Sequence, residues 1–244
     1  MTIEIIPLGL AVEIVESNDL AALVLGIAPQ LRDGDIIVVT HKAVSKSEGR
    51  VADLGAVHPS SRAMEVAADH SDPRLVEVIL RESRRIVRQR GPLLIVETHN
   101  GLVCANAGVD RSNAPRPDTV VLLPSDPDRS ASHLRHALEE RTRARLGVIV
   151  ADTMGRAWRE GIVGTAIGAS GVETLRDMTG AVDPSGYELS GTVVAVVDEL
   201  AAAADLAFGK LDRVPFVLIR GYGTEDRDGS ARQVIRRPER DLFR

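Results

Sequence analysis

The 244-residue sequence is poor in aromatic residues, has a single cysteine and contains no long apolar run. One tryptophan, two tyrosines and three phenylalanines are too few for the base-stacking platforms of nucleic-acid-binding proteins. A net charge of −5 gives no overall positive field for a polyanion. These absences argue against a nucleic-acid-binding protein.

The lone Cys104 excludes an intrachain disulfide framework and a cysteine-based zinc site. No stretch approaches the roughly 18 consecutive apolar residues of a membrane helix. The N-terminal segment MTIEIIPLGL lacks the basic and apolar regions of a secretion signal. We therefore expect a cytoplasmic protein with no membrane partner.

Short β-branched runs alternate with segments of helical periodicity, which predicts an α/β (mixed α+β) fold with mixed sheets and surrounding helices. The predicted strands are 3–6, 36–40, 93–97, 102–104, 120–123, 147–151 and 214–220, and the predicted helices are 19–28, 63–68, 75–82, 128–143 and most of 193–207. Ser17 or Asn18 is the expected cap of the first helix.

No repeat or linker divides residues 1–244, so we expect one unit, with two lobes as an alternative. The sequence has no P-loop, no Rossmann fingerprint and no nucleophile elbow.

Four polar segments follow predicted strands, where α/β proteins gather their chemistry. In the first, Lys42 and Lys46 lie four residues apart, so one helical turn would place both ammonium groups on one face, suited to a phosphate. A solvated basic loop explains the same spacing.

The second segment contains Asp110 and Asn113 among small residues. A carboxylate and a carboxamide suit Mg²⁺ or Mn²⁺ and a nucleotide hydroxyl, although an Asx turn is the common alternative.

In the third segment, Asp152 and Thr153 are predicted to end a buried strand, as metal-binding pairs do in phosphate-handling enzymes. Arg156 and Arg159 are spaced to grip a carboxylate or phosphate. The alternative makes Asp152 a helix cap and the arginines surface ion pairs. Residues 155–171 are rich in glycine, which indicates close backbone approach or unusual dihedrals.

The fourth segment combines Asp198 and Glu199 with a later Gly209-Lys210 pair. An exposed helix flank explains the carboxylates, and a helix C-cap explains the Gly-Lys pair. Cys104, in an apolar strand, is interpreted as a core residue rather than a nucleophile.

Five segments in series resemble the coenzyme F420-0:L-glutamate ligase family, and the resemblance runs from about Ile5 to Arg244. They are V-V-T-H-K-A-V-S-K-S-E-G-R, V-C-A-N-A-G-V-D-R-S-N, A-D-T-M-G-R-A-W-R-E-G, V-D-E-L-A-A-A-A-D-L-A-F-G-K and the closing D-L-F-R. The resemblance implies a GTP-dependent ligase that joins L-glutamate to coenzyme F420-0, or its dehydro form, and then adds γ-linked glutamates. It also implies two Mn²⁺ or Mg²⁺ ions, K⁺ as a further candidate ion, and an interwoven homodimer.

By the same resemblance, the metal positions fall on Asp110, Asp152 and Thr153. The nucleotide positions fall on Ala11, Val12, Glu13, Ile14, His41, Lys42, Lys46, Asn113, Gly209 and Lys210. The chain departs from the family pattern at Ala11-Val12, where Leu-Pro is usual, and at His41, where Ser or Gln is common. In actinobacterial relatives the ligase is followed by a flavin-binding reductase domain, so a separate reductase is an expected partner.

The expected chemistry transfers the γ-phosphoryl group of GTP to a carboxylate, and the amine of glutamate then attacks the acyl phosphate. Lys46, Arg156 and Arg159 are the expected catalytic residues. We expect one basic cleft, lined by Lys42, Lys46, Arg111, Arg156 and Arg159. A metal-dependent phosphotransferase or phosphatase and a silent deazaflavin-binding module are the alternative functions.

Overall fold

A computed structural model describes residues 2–223 and 229–242. Phe243 and Arg244, which close the last motif, lie outside these residues. The described strands are β1 (Glu4–Leu8), β2 (Ile36–Thr40), β3 (Val51–Asp53), β4 (Ser83–Arg90), β5 (Leu93–Thr98), β6 (Val103–Ala105), β7 (Thr119–Val121), β8 (Gly147–Arg156), β9 (Arg159–Ser170), β10 (Arg176–Asp177), β11 (Val193–Val194) and β12 (Phe216–Arg220). The described helices are α1 (Leu20–Ile27), α2 (His41–Ser47), α3 (Ser61–Ala67), α4 (Pro73–Arg81), α5 (Pro127–Thr142) and α6 (Val196–Phe208).

Within the described residues, a five-stranded sheet has the order β1-β12-β2-β8-β9. β2 and β8 pair in parallel, whereas the neighbouring pairs are antiparallel. Ile36–Val39 of β2 are fully buried because hydrophobic clusters cover both faces of the sheet. α1 and α5 pack on one face and α6 on the other. This arrangement explains why β2 is an unbroken apolar run rather than an alternating one.

The chain between β2 and β8 forms smaller sheets, β3-β7 and β4-β5-β6, which pack with α3 and α4 around two further apolar clusters. This region is the crossover that a parallel strand pair requires. It brings the loop after β6 back towards the end of β2, so the crossover carries one wall of the site described below.

The expected mixed α/β architecture is confirmed, and each predicted strand and helix overlaps an observed one. A short turn that contains Asn100 and Gly101 joins β5 and β6, which are antiparallel. No helix formed by the described residues has the length and apolarity needed to cross a membrane.

Three local features of the structure differ from the prediction. Asp19 caps α1, in place of Ser17 or Asn18, because its carboxylate accepts a hydrogen bond from Ala22 N at 3.0 Å. β8 continues through Asp152 to Arg156, since β9 supplies an antiparallel partner along that length. The arginine-rich β4 was missed, because its exposed basic residues obscure the alternation expected of a strand.

The glycine-rich segment forms β9, and its expected close approaches occur at particular residues. A Cβ atom added to Gly168 would lie 2.2 Å from the backbone oxygen of Pro127, the first residue of α5. Only glycine therefore lets α5 pack this closely on β9.

We expect Gly168→Ala to lower the free energy of unfolding by about 1–3 kcal/mol, because the clash is with backbone that cannot move aside. Gly26→Ala is the matched control, since Gly26 is an exposed helical residue with nothing near the added Cβ. The control should leave stability unchanged or raise it by up to about 1 kcal/mol. Urea unfolding followed by circular dichroism measures both, and equal stabilities would contradict the packing argument.

Candidate functional site

A cleft of about 850 Å³ lies where β2 ends and where β8 leaves the buried core. Its walls come from the segment after β1, from α2, from the loop after β6, from β8 and β9, and from the end of α6. The predicted site residues that line it are Val12, Glu13, Ile14, His41, Lys42, Lys46, Asp110, Asn113, Asp152, Thr153, Gly209 and Lys210. Ala11, Arg156 and Arg159 do not line it. The cleft therefore gathers most of the predicted residues from five separate parts of the chain.

The parallel register of β2 and β8 positions the first pair of polar residues. Thr40 is opposite Ala151, so the next residues along both strands, His41 and Asp152, lie side by side. His41 Nε2 lies 3.3 Å from Asp152 Oδ1. Burial lowers the pKa of His41, and Asp152 only partly opposes that effect. The imidazole is therefore neutral near pH 7 and adds no positive charge beside Asp152.

The two lysines project from α2, which begins directly after β2. Lys46 is 8% exposed and forms an ion pair with Glu13 from the opposite wall. Lys42 Nζ lies 2.6 Å from Asp110 Oδ2. The predicted helical turn is confirmed, and the solvated-loop alternative is wrong, since both lysines are paired inside the cleft.

Asp110 is presented by a left-handed turn between β6 and β7. Asn106, Ala107 and Gly108 all have positive φ angles, of 51°, 55° and 68°. The backbone of Asp110 then pairs with Val121, which fixes the main chain of this residue beside β7. The small residues noted in the sequence permit this sharp reversal.

The carboxylate of Asp110 also accepts hydrogen bonds from Ser112, through its backbone N at 2.7 Å and its hydroxyl at 2.8 Å. The Asx-turn alternative is thus confirmed, and the same carboxylate faces the cleft. Burial acts to raise the pKa of Asp110, but the hydrogen bonds from Lys42 and Ser112 together hold it below its usual value. Asp110 is therefore ionised at neutral pH, as a cation ligand must be.

The expected cluster of five cations around the cleft is corrected by the structure. Lys42 and Lys46 line the cleft, but Arg111 points away and its Nη2 lies 3.2 Å from Asp72 Oδ2, the cap of α4. Arg156 and Arg159 are exposed at the tip of the β8–β9 hairpin, because the strand pairing carries them beyond the cleft walls. The helix-cap alternative for Asp152 is also wrong, since Asp152 lies within β8.

The cleft contains residues that the sequence analysis missed. Asp205 on α6 accepts a hydrogen bond from Gly164 N of β9 at 3.1 Å, and Arg213 contributes a further cation-bearing residue to the wall. Asp205 lies one helical turn before the predicted C-cap Gly209, and this spacing could have identified it from the sequence.

Gly209 does end α6, with φ 51°. Asp198, in contrast, serves structure, because it accepts a hydrogen bond from Ala166 N at 3.0 Å.

The cleft offers oxygen donors that can be compared with the needs of the expected divalent ions. No group of three or more His, Cys, Asp or Glu side chains among residues 2–223 and 229–242 is arranged to hold a metal. Asp110, Asp152 and the Thr153 hydroxyl nevertheless supply hard oxygen ligands on one cleft. Mg²⁺ is commonly bound by one or two carboxylates together with substrate phosphates, so the residues fit an ion that arrives with a nucleotide.

Comparison with known proteins agrees with this geometry. A family model described as F420-0:Gamma-glutamyl ligase matches residues 9–221. A protein of Methanopyrus kandleri named Coenzyme F420:L-glutamate ligase is 47% identical over 249 residues, covering 100% of this chain and 98% of the relative. Proteins of the same name from Methanocaldococcus jannaschii (44% identical, 88% of this chain, 86% of the relative) and Methanothermobacter thermautotrophicus (43%, 93% and 93%) are also similar. The chain belongs to the F420-0:gamma-glutamyl ligase family. The resemblance inferred from the five motifs is confirmed.

The reactivity of the Cys104 thiol provides a test of its burial in the core. Burial raises the pKa of the Cys104 thiol to about 12, and the charge of Asp152 acts in the same direction. The thiol is protonated at pH 8, so we expect a disulfide reagent such as DTNB to label the folded protein far more slowly than the protein in urea. Because the chain has one cysteine, the stoichiometry is unambiguous. Rapid labelling of the folded protein would contradict the assignment of Cys104 to the core.

Proposed function

We propose that the protein is a GTP-dependent ligase that joins L-glutamate to coenzyme F420-0, or its dehydro form, and then adds further γ-linked glutamates. The observation that carries the proposal is the placement of Asp110, Asp152, Lys42 and Lys46 on one cleft in a member of this family. Two carboxylates and two lysines at close quarters suit a reaction that brings anions together.

The proposed reaction begins with transfer of the γ-phosphoryl group of GTP to a carboxylate of the acceptor. The carboxylate is a poor electrophile, whereas the acyl phosphate has a good leaving group. The α-amine of glutamate then attacks, the amide bond forms, and phosphate leaves. GDP and phosphate are the by-products of each addition.

Lys42 and Lys46 provide the positive charge that would bind the phosphates of GTP. Lys46 is paired with Glu13 and Lys42 with Asp110, so each cation is held at the cleft wall rather than in solvent. A triphosphate would compete for both ammonium groups. Lys42 and Lys46 would then bind the phosphates, and the preformed ion pairs keep the side chains oriented towards them.

Asp110, Asp152 and Thr153 would hold the divalent ions. A bound divalent ion would neutralise phosphate charge during transfer. His41 is a positioning residue for Asp152, and Ser112 is one for Asp110, since each contacts a carboxylate on the cleft. The second ion, K⁺, a homodimer and a separate reductase partner stay predictions from the resemblance.

The decisive measurement is mass spectrometry of the product after incubation with the F420-0 acceptor, L-glutamate, GTP and Mn²⁺. We expect mass increments of one or more glutamates, with GDP release that requires both the acceptor and glutamate. GDP release without glutamate would favour a phosphotransferase or phosphatase. Acceptor binding without nucleotide turnover would favour a silent binding module.

Asp110→Asn and Asp152→Asn should each lower kcat/KM by roughly 10²–10⁴, because each removes a charge that holds a divalent ion against the phosphates. Mn²⁺ affinity, measured in the presence of a non-hydrolysable GTP analogue, should fall in parallel. Asp69→Asn is the matched control, since Asp69 is exposed and does not line the cleft. Normal turnover and unchanged Mn²⁺ affinity in either cleft variant would refute the assignment of that residue.

A further inference from the structure

The segment between α6 and β12 forms part of the rim of the cleft. Lys210, Leu211 and Arg213 in this segment all line the cleft. Leu211 is nevertheless 92% exposed, more than any other large apolar side chain among the described residues. The side chain therefore contributes almost no apolar burial to the fold as it stands.

Two further exposed apolar side chains lie on the same rim. Val12, in the segment after β1, is 60% exposed, and Ile162 on β9 is 50% exposed. Both line the cleft, so three separate parts of the chain each place an apolar side chain there. Single exposed apolar residues are common on protein surfaces, whereas a group of them around a polar cleft is typical of a surface that becomes covered.

Few contacts hold the segment after α6 in its position. Residues 210–212 form no hydrogen bond or ion pair with any other residue in the described ranges. At the two ends of the segment, Gly209 and Arg213 have positive φ angles of 51° and 53°. The backbone oxygen of Arg213 accepts a hydrogen bond from Leu10 N at 2.9 Å, which anchors the second end. A short segment with anchored ends and few contacts of its own can change position at low cost.

The same segment carries positive charge that the fold leaves unpaired. Lys42 and Lys46 each lie against a carboxylate of the cleft. Lys210 and Arg213, in contrast, form no ion pair with a carboxylate in the described part of the chain. An anion bound at Lys42 and Lys46 would therefore attract these two cations, and the segment that carries them, towards the cleft.

We propose that residues 209–213 form a lid that closes over a polyphosphate ligand in the cleft. In the closed position, Lys210 contacts the phosphates and Leu211 packs against Val12 and Ile162. Closure removes three apolar side chains from solvent, which stabilises the closed position, and it excludes water from the phosphates. The inference rests on the proposed function only for the natural ligand, GTP, since the lysines of the cleft suit any polyphosphate.

The thiol of Leu211→Cys would report on closure, because the only natural cysteine, Cys104, is buried. Its reaction with DTNB should be about fivefold slower with Mg²⁺ and GTP, or with Mg²⁺ and inorganic triphosphate, if the lid is then closed roughly four-fifths of the time. Leu206→Cys is the matched control, since Leu206 is 86% exposed on α6 and does not line the cleft. The control should react at the same rate throughout, and a ligand-independent rate in Leu211→Cys would overturn the proposal.

A cross-link separates closure of the lid from direct coverage of Leu211 by the ligand. Ile162→Cys and Leu211→Cys are combined in a Cys104→Ser background and oxidised. A disulfide requires Cα atoms within about 7 Å, so closure should raise the rate of cross-linking when Mg²⁺ and inorganic triphosphate are added. Ile162→Cys with Leu206→Cys is the control pair and should be insensitive to the ligand. A slower rate would place the ligand between the two side chains, and an unchanged rate would show no closure; either result overturns the lid.

The apolar contact of the closed lid is tested by truncation. Leu211→Ala should weaken GTP binding about tenfold, because the leucine side chain no longer packs on the opposite rim. Leu206→Ala should leave the affinity unchanged, and isothermal titration calorimetry measures both. Circular dichroism should show both variants folded, since both side chains are exposed. Equal GTP affinities in the two variants would overturn the packing of Leu211 in the closed position.

A second copy of the chain is the other cover that this rim could have. In that case the thiol of Leu211→Cys would react slowly without any ligand, and the rate would fall further as the protein concentration rises. Slow labelling of this kind would overturn the lid and assign the rim to an interface between copies. We expect instead a rate that depends on the ligand and is independent of protein concentration.

The lid and the proposed function fail in different ways. If the protein forms no glutamylated product but inorganic triphosphate still slows labelling and speeds cross-linking, the ligase function fails and the lid stands. If product forms normally while the Leu211→Cys thiol stays equally reactive with GTP, the lid fails and the ligase function stands.

Discussion

The parallel pairing of β2 with β8 is the constraint on which the site depends. It sets Thr40 opposite Ala151, so both strands leave the buried part of the sheet at the same level. The residues that follow, His41 and Asp152, are consequently neighbours although they are far apart in sequence. In mixed α/β proteins, ligands bind outside the carboxyl ends of such strands.

The crossover between these strands completes the site. A parallel pair requires a long connection, and here that connection includes β3–β7, α3, α4 and α5. One of its loops carries Asp110 back to Lys42 at the end of β2. The left-handed turn at 106–108 and the backbone pairing of Asp110 with Val121 fix the position of this residue, and Lys42 and Ser112 hold its carboxylate. The crossover therefore supplies one wall of the cleft as well as a connection.

The features that could be predicted from the sequence are those that depend on interactions between neighbouring residues. Helix α5 and strand β2 were predicted because periodicity and burial are written in consecutive residues. The continuation of β8 past Asp152 depends on pairing with β9, and the orientation of Arg111 depends on Asp72 of α4. Contacts between residues that are distant in the chain produce no periodic pattern in the sequence. The motifs identified Asp110, Asp152 and Lys46 as a group through family resemblance, whereas their meeting in one cleft required the fold.

His41 borders the site without adding charge to it. This chain buries the imidazole, and its Nε2 lies 3.3 Å from Asp152 Oδ1. Burial keeps the ring neutral, so it adds no charge that would compete with a cation for the carboxylate. A neutral ring therefore lies beside Asp152 where a charged one would form an ion pair with that carboxylate. Histidine at this position therefore adds a polar side chain beside Asp152 without changing the charge balance of the cleft.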